Sequence, residues 1–243
     1  MHLKTALKSY VQIMNKFKLV IFDWDGTVMD SVPKIVTCLQ NTARQLGIAV
    51  PTVQQAKDVI GLSLAKATEA LFPAHLHLND ELVAAYKAQY RELDVTPTPL
   101  FADVETVLKQ LSDAGMQLAV ATGKGREGID RLLNESGLGK YFATVKCSDD
   151  AKSKPSPDML EQILQEQGIA KRDAVMVGDS QLDMAMANAA GIACIGVSFG
   201  AHSPAQLLQH TPLCVVDSYQ QLLQVLTTSL EASIYQHQTQ PAL

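Results

Sequence analysis

Four short apolar runs, rich in valine and isoleucine and each followed closely by Gly, Asp, Thr or Ser, restrict the possible folds of this chain most strongly. They are Leu19–Phe22, Gln117–Ala121, residues 174–177 and Ala193–Val197, with weaker runs at residues 143–147 and 213–216. Such runs are typical of parallel strands that are buried on both faces. Because amphipathic helical patterns separate them, the chain is predicted to adopt an α/β fold with a doubly wound, Rossmann-like parallel sheet.

One stretch departs from this alternation of strand and helix. Between the first and second apolar runs, residues 33–96 show helical periodicity only, and a proline-rich segment follows them. We therefore expect a core of residues 16–32 and 97–243, into which residues 33–96 are inserted as a small helical cap domain. Residues 1–15 are expected to form an N-terminal extension, to which the pattern assigns no function.

The composition excludes several classes of partner. The net charge is −5, and the lysines and arginines form no cluster that could follow a nucleic acid backbone. No apolar stretch approaches the roughly 20 residues that a membrane-spanning helix needs. The four cysteines lie far apart and lack zinc-ligand spacing, as expected of thiols in a reducing compartment. We therefore expect a cytoplasmic monomer or homodimer that binds neither nucleic acid nor membrane.

Two acids directly follow the first apolar run. The spacing of Asp23 and Asp25 places both side chains on the same side of an extended segment, so that both can face one site. An acidic turn closed by Gly26 explains the same residues equally well, because Asp-Gly is common in turns. The pair becomes informative only together with the other motifs.

A hydroxyl and a glycine follow the second apolar run. Thr122 and Gly123 precede a helical pattern, and this arrangement is typical of an anion site or of a simple helix cap. The next two basic residues, Lys124 and Arg126, are interpreted as solvent-exposed surface charges.

Two later motifs carry a lysine and two acids. Lys154 lies in a proline-stiffened segment that can hold a fixed positive charge, although a single loop lysine is usually exposed. Asp179 and Asp183 are four residues apart at a predicted helix start, where acids also stabilise the helix dipole. Ligands of open α/β sheets bind at the carboxyl ends of the strands, so the motifs together predict one site. Carboxylates this close need a cation, and oxygen ligands favour Mg²⁺.

At these residues the chain resembles the haloacid dehalogenase superfamily of phosphohydrolases, and within it the phosphoglycolate-phosphatase-like branch with a helical cap. The matching residues are Asp23 to Thr27 for the DxDGT motif, Thr122 for the second motif, Lys154 for the third, and Asp179 with Asp183 for the fourth. The resemblance covers residues 17–225. It implies a magnesium-dependent phosphatase that acts on a small phosphorylated metabolite through a phospho-aspartyl intermediate.

The resemblance also implies which residues hold the metal and perform the chemistry. Asp23 would be the nucleophile and a magnesium ligand. Asp25 would be the general acid and base, and its main-chain carbonyl would also bind the metal. Asp179 would complete the protein ligands, and Asp183 would support the metal site.

The resemblance assigns the phosphate to a further group of residues. Thr122 and Gly123 would bind the transferring phosphoryl group, and Lys154 would offset the negative charge on Asp23 and on the phosphate. The catalytic set implied by the resemblance is Asp23, Asp25, Thr122 and Lys154.

Two other functions remain open. A β-phosphoglucomutase-like sugar phosphomutase would share every core residue and differ only in the cap, where Gly61, Ser63 and Lys66 are candidates for substrate specificity. The cap carries few cations that could grip a second phosphate, which favours water as the acceptor. A receiver-like signalling module that is phosphorylated on an aspartate would be much shorter and would lack the helical insertion. The motifs leave the physiological substrate undetermined.

Overall fold

The architecture is a six-stranded parallel sheet with helices on both faces. The computed structural model describes residues 17–227. The strands are β1 (Leu19–Phe22), β2 (Gln117–Ala121), β3 (Thr144–Lys146), β4 (Ala174–Gly178), β5 (Ala193–Val197) and β6 (Val215–Val216). Their order is β3-β2-β1-β4-β5-β6, and every neighbouring pair is parallel. Because the chain winds outward from β1 in both directions, the predicted doubly wound α/β fold is confirmed.

Ten α-helices connect or flank the strands in this part of the chain. They are α1 (Val32–Gln45), α2 (Val53–Asp58), α3 (Leu64–Leu71), α4 (Asn79–Ala88), α5 (Val104–Asp113), α6 (Arg126–Ser136), α7 (Asp158–Gln167), α8 (Gln181–Ala190), α9 (Pro204–Leu208) and α10 (Tyr219–Thr227). Shorter helical turns are the 3₁₀ segments Pro73–Leu78, Leu138–Tyr141 and Lys171–Asp173 and the π-helical segment Gln89–Leu93. Within residues 17–227, no helix combines the length and the apolar character that crossing a membrane requires.

The central strand β1 is apolar throughout because helices cover both faces of the sheet. Val20 and Phe22 belong to the apolar cluster that includes side chains of α5, α6 and α10. Leu19 and Ile21 belong to the opposite cluster, which includes side chains of α7 and α8. All four are fully buried, and burial of such a side chain contributes about 1.5–3 kcal/mol to stability.

The two weaker apolar runs form the edges of the sheet. β3 and β6 are both shorter than the runs at residues 143–147 and 213–216 that predict them. Each edge strand pairs with a neighbour on one side only, so fewer of its residues are held in the ladder.

The connection from β1 to β2 contains α1 to α4 and the π-helical segment, as the helical periodicity predicts. The apolar stripe of α1, which includes Ile35, Val36 and Leu39, packs against Ala56 and Ile60 in a small separate cluster. This segment therefore has its own apolar contacts above the sheet. The predicted extension of residues 1–15 lies outside the described residues.

Candidate active site

Polar side chains that follow three neighbouring strands meet at one edge of the sheet. Asp23 follows β1, Thr122 follows β2 and Asp179 follows β4, and β1 lies between the other two strands. The parallel register brings the ends of these strands to the same level. All three side chains are buried. The structure therefore brings the first, second and fourth motifs together.

Three buried carboxylates form the centre of this edge. One oxygen from each of Asp23, Asp179 and Asp183 lies within 4.8 Å of the other two. Helix α8 begins at Gln181, so Asp179 precedes the helix and does not share its first turn with Asp183, unlike the expectation from their spacing. Asp183 is fixed by Ser180, whose N–H and Oγ donate to its Oδ2 at 3.1 and 2.6 Å. The two acids still converge because the loop after β4 turns directly into α8.

Close packing around Asp179 requires a glycine on the neighbouring loop. Thr27 Oγ1 donates to Asp179 Oδ1 at 3.0 Å, and the N–H of Ala201 donates to Oδ2 at 2.6 Å. Gly26 has a φ of 74°, and a Cβ at this position would lie 2.1 Å from Asp179 Oδ2. A side chain at residue 26 would therefore be both strained and in collision with the carboxylate.

Lys154 reaches the carboxylates from the loop before α7. Its Nζ donates to Oδ1 of Asp23 and to Oδ1 of Asp183, both at 2.7 Å, and its side chain is completely buried. Burial disfavours the ammonium, but Asp183 and Asp23 outweigh it and raise the pKa of Lys154 above its ordinary value. Lys154 therefore stays charged, and the prediction of a fixed positive charge agrees with this geometry.

One ammonium does not balance three carboxylates in a buried site. Burial raises the pKa of Asp23 well above its ordinary value, and Asp183 and Asp179 raise it further against the opposing effect of Lys154. Burial, followed by repulsion from Asp183, raises the pKa of Asp179 to about 7. A divalent cation would relieve this repulsion, and carboxylate oxygens are the ligands that Mg²⁺ prefers. The residues present therefore fit a magnesium ion.

Asp25 lies apart from the three-carboxylate cluster. Its Oδ1 accepts a hydrogen bond from Ser31 Oγ at 2.5 Å and pairs with Lys124 Nζ at 2.9 Å. The Asp25 side chain also lines a cavity beside the cluster. Asp23 and Asp25 thus border one site, with Asp23 in the cluster and Asp25 on the cavity side.

The prediction that Lys124 is a solvent-exposed surface charge is wrong. Its side chain is only 13% exposed and lies between Asp25 and the ring of Tyr90, with Nζ 4.9 Å from the ring centroid. Burial opposes its charge, but Asp25 outweighs burial and raises the pKa of Lys124. Lys124 lies two residues after Thr122, at the same sheet edge, and this position in the sequence could have identified Lys124 as a residue of the site. Arg126 is partly exposed and pairs with Asp130 at 3.1 Å.

The predicted cap loop contacts the second and third motifs. A Cβ on Gly123 would lie 2.4 Å from the carbonyl oxygen of Gly61, so the two loops touch through their backbones. The N–H of Ser63 donates to Ser153 Oγ at 2.9 Å, next to Lys154. Gly61 and Ser63 therefore lie at the site, and their role in substrate specificity stays a prediction.

Lys66, the third proposed specificity residue, does not lie at the site with Gly61 and Ser63. Its side chain is 61% exposed and pairs with Glu69 at 2.7 Å on the surface of α3. It does not line the cavity beside the site. The sequence distance from Gly61 is short, but the helix that begins at Leu64 turns this side chain away.

A cavity of about 440 Å³ separates the helical segment from the sheet edge. Asp25, Gly123 and Lys124 line it from the sheet side, and Gly61 and Ser63 line it from the helical segment. Proteins bind small molecules in cavities of roughly this size, about 300–1,000 Å³. The arrangement can thus place a small ligand beside Asp25 and next to the carboxylate cluster.

Comparison with known families gives a match that spans most of the chain. A model of the haloacid dehalogenase-like hydrolases matches residues 20–197. The matched range includes every motif residue from Asp23 to Asp183 described above.

Two relatives are similar over nearly their whole length. A phosphoglycolate phosphatase from Vibrio vulnificus is 31% identical over 88% of this chain and 98% of its own length. The probable phosphatase IndB from Dickeya dadantii is 35% identical over 84% of this chain and 91% of its own length.

Solved structures share the fold. A hydrolase from Pseudomonas syringae has a TM-score of 0.78 at 21% identity, over 86% of this chain and 97% of its own. A protein from Bacteroides vulgatus, provisionally named a β-phosphoglucomutase, has a TM-score of 0.75 at 22% identity, over 92% and 97%. At these identities the likeness establishes the fold alone.

Proposed function

The chain belongs to the haloacid dehalogenase-like hydrolase family and is a phosphatase, and from this premise we propose that it hydrolyses a small phosphorylated metabolite, with Mg²⁺, through a phospho-aspartyl intermediate on Asp23. The observation that carries the proposal is the buried cluster of Asp23, Asp179 and Asp183 with Lys154, beside a cavity that Asp25 lines. The three clustered carboxylates suit a metal ion, and the metal ion together with the Lys154 ammonium suits a phosphate.

The reaction takes place in two steps at Asp23 and Asp25. First, the Asp23 carboxylate attacks phosphorus, the bond from phosphorus to the ester oxygen breaks, and Asp25 gives that oxygen a proton. Water then attacks phosphorus, Asp25 accepts its proton, and the bond to the Asp23 oxygen breaks. The products are the alcohol and inorganic phosphate. The position of Asp25 on the cavity side supports this role, because the leaving group would occupy the cavity.

Lys154, Thr122 and Gly123 position and neutralise the transferring group. Lys154 already donates to Asp23, so it can balance charge on the nucleophile and on the incoming phosphate. The buried Thr122 hydroxyl and the N–H of Gly123 lie at the same sheet edge and can donate to the phosphoryl oxygens.

Asp23 and Asp179 would hold magnesium with their carboxylates, the main-chain carbonyl of Asp25 would add a ligand, and Asp183, whose oxygens accept from Lys154 and Ser180, would support the metal site. A bound magnesium ion supplies positive charge that orients the phosphate and stabilises charge in the transition state.

Residues 33–96 act in this proposal as a cap domain over a core of residues 16–32 and 97–243. The contacts that support this role join the two parts beside the cavity. Arg91 pairs with Glu127 at 2.6 Å, and Asp58 lies 3.5 Å from His202 Nε2. A cap in this position would limit the access of bulk water during phosphoryl transfer.

Hydrolysis is favoured over a phosphomutase reaction. A mutase must hold a second phosphate while its intermediate turns around, which calls for cations on the cap side of the cavity. Lys66, the cap lysine best placed by sequence, is exposed and paired with Glu69. Of the two cap cations that line the cavity, Arg91 is paired with Glu127 and Lys87 is exposed. Water is therefore the expected acceptor of the phosphoryl group.

Phosphate release with and without metal tests the proposal. The purified protein is expected to release phosphate from acetyl phosphate with Mg²⁺, to lose about 10³-fold in rate after chelation, and to recover when Mg²⁺ is added back. A full rate after exhaustive chelation would contradict the metal requirement. Interconversion of hexose 1- and 6-phosphates that is faster than phosphate release would replace the phosphatase with a mutase.

A further inference from the structure

We propose that the cavity takes a phosphomonoester whose alcohol carries an uncharged, largely apolar ring, and not the ester of a small carboxylic acid such as glycolate. This inference rests on the proposed function, since it names the substrate class of the same site. It is carried by the size of the cavity, by the chemistry of its cap-side wall and by the pairing of its cations.

The cavity is larger than a phosphorylated two-carbon acid needs. Its volume of about 440 Å³ extends from Asp25 across to the helical segment. A substrate with only two carbons beyond the phosphate would not touch the cap-side wall. The van der Waals attraction that contacts with this wall would provide is then lost. A substrate body that reaches this wall would fill the space.

The cap-side wall is apolar and aromatic. Ile35, Leu39 and Ile60 line it together with Tyr86 and Tyr90. The two tyrosine rings stack with centroids 5.9 Å apart and planes at 30°. Such a surface favours a flat apolar body, because aromatic side chains gain most from offset contact with rings.

Tyr90 offers a polar anchor at the same wall. The ammonium groups of Lys124 and Lys34 already lie 4.9 and 5.1 Å from its ring centroid. Its hydroxyl is buried and interacts with the Lys124 ammonium. A neutral polar atom on the ring of the substrate could accept a hydrogen bond from this hydroxyl, because a phenol is both a donor and an acceptor.

Three of the four cations that line the cavity are already paired with acids. Lys124 pairs with Asp25 at 2.9 Å, and Arg91 pairs with Glu127 at 2.6 Å. Arg131, which also lines the cavity, pairs with Glu135 at 2.9 Å.

Lys87 is the remaining cation in the lining, and it has no ion pair within residues 17–227, but it is exposed at the rim. A carboxylate that does not extend out to Lys87 would have to break an existing ion pair or lie beside the Asp25 carboxylate. The charge pattern therefore disfavours an acidic leaving group.

Three esters with comparable alkyl leaving groups test the inference on the full chain. We expect kcat/KM for 2-phenylethyl phosphate to exceed that for phosphoglycolate by about tenfold or more, with ethyl phosphate below the phenyl ester. An equal or higher kcat/KM for phosphoglycolate overturns the inference while leaving the proposed function in place. Failure to hydrolyse even acetyl phosphate overturns both.

Substitution of Tyr86 tests whether the preference for the phenyl ester depends on the aromatic cap-side wall. Tyr86→Ala is expected to lower the ratio of kcat/KM for 2-phenylethyl phosphate to that for ethyl phosphate by about tenfold, and Tyr86→Phe is expected to keep the ratio. Equal losses for both esters in Tyr86→Ala would indicate a structural role only and would contradict the inference. Circular dichroism and thermal melting confirm that each variant is folded.

Discussion

The two walls of the cavity differ in how they satisfy their polar groups. At the sheet edge, every buried carboxylate accepts a hydrogen bond or pairs with a lysine: Lys154 bridges Asp23 and Asp183, Asp25 is held by Ser31 and Lys124, and Asp179 accepts hydrogen bonds from Thr27 and Ala201. On the cap side, the wall is mostly apolar, and its Tyr90 ring lies against the ammonium groups of Lys34 and Lys124. The difference indicates that the polar groups of the sheet edge are held in fixed positions, whereas the cap wall offers an apolar surface to a ligand.

Removal of the bridging ammonium should damage the sheet edge most severely. Lys154→Met leaves the buried carboxylates without their cation, and breaking a buried pair in this way costs about 3–5 kcal/mol. We expect a large fall in melting temperature in chelator, partial recovery with Mg²⁺, and a loss of about 10²–10³-fold in turnover. Lys109→Met, which removes an exposed lysine paired with Asp113, is the matched control. Equal stability losses in the two variants would contradict the paired-charge account.

Contact between the two walls can be broken at one glycine. In Gly123→Ala the new Cβ would lie 2.4 and 2.5 Å from the carbonyl oxygens of Gly61 and Leu62, so the cap loop must move away. We expect kcat/KM for phosphate esters to fall about 10- to 100-fold, because small displacements of catalytic groups are costly. Gly139→Ala, whose Cβ would meet only ordinary contacts at 3.7 Å, is the control. An unchanged kcat/KM in Gly123→Ala would show that the contact is dispensable.

Loss of the Tyr90 hydroxyl should have the smallest effect. Tyr90→Phe keeps the ring that contacts Lys34 and Lys124 and removes only the interaction of the hydroxyl with Lys124, so the free energy of unfolding should fall by no more than about 1 kcal/mol. Tyr141→Phe provides the comparison, because the Tyr141 hydroxyl donates to Glu105 Oε1 at 3.2 Å. Urea denaturation measures both, and a loss of several kcal/mol in the free energy of unfolding of Tyr90→Phe would contradict the account of a cap wall held mainly by apolar contacts.

The sheet edge was predictable from sequence because its residues are tied to strand ends. Buried parallel strands produce recognisable apolar runs, and Asp23, Thr122 and Asp179 stand directly after three of them. Once the strands are parallel and adjacent, those side chains must meet. The weaker runs marked the edge strands correctly but overestimated their length.

The cap wall was much less predictable. Lys124 was expected to be exposed, but its burial depends on Tyr90, which arrives from the π-helical segment of the insertion. Lys66 was expected near the substrate, but the direction of α3 sends it to the surface. Both outcomes depend on how helices pack in space, and periodicity along one helix does not specify the orientation of another.

The central claim is that Asp23 carries the phosphoryl group, and trapping the phospho-enzyme tests it most directly. In Asp25→Asn, acetyl phosphate can still phosphorylate Asp23, because its leaving group hardly needs a proton, whereas release should slow by about 10²–10⁴-fold. After acid quenching, mass spectrometry should therefore find one phosphoryl group on the peptide that contains Asp23, and the Asp23→Asn/Asp25→Asn double variant should carry none. A folded Asp25→Asn protein that dephosphorylates at the normal rate, or that carries the phosphoryl group on another residue, would contradict the account.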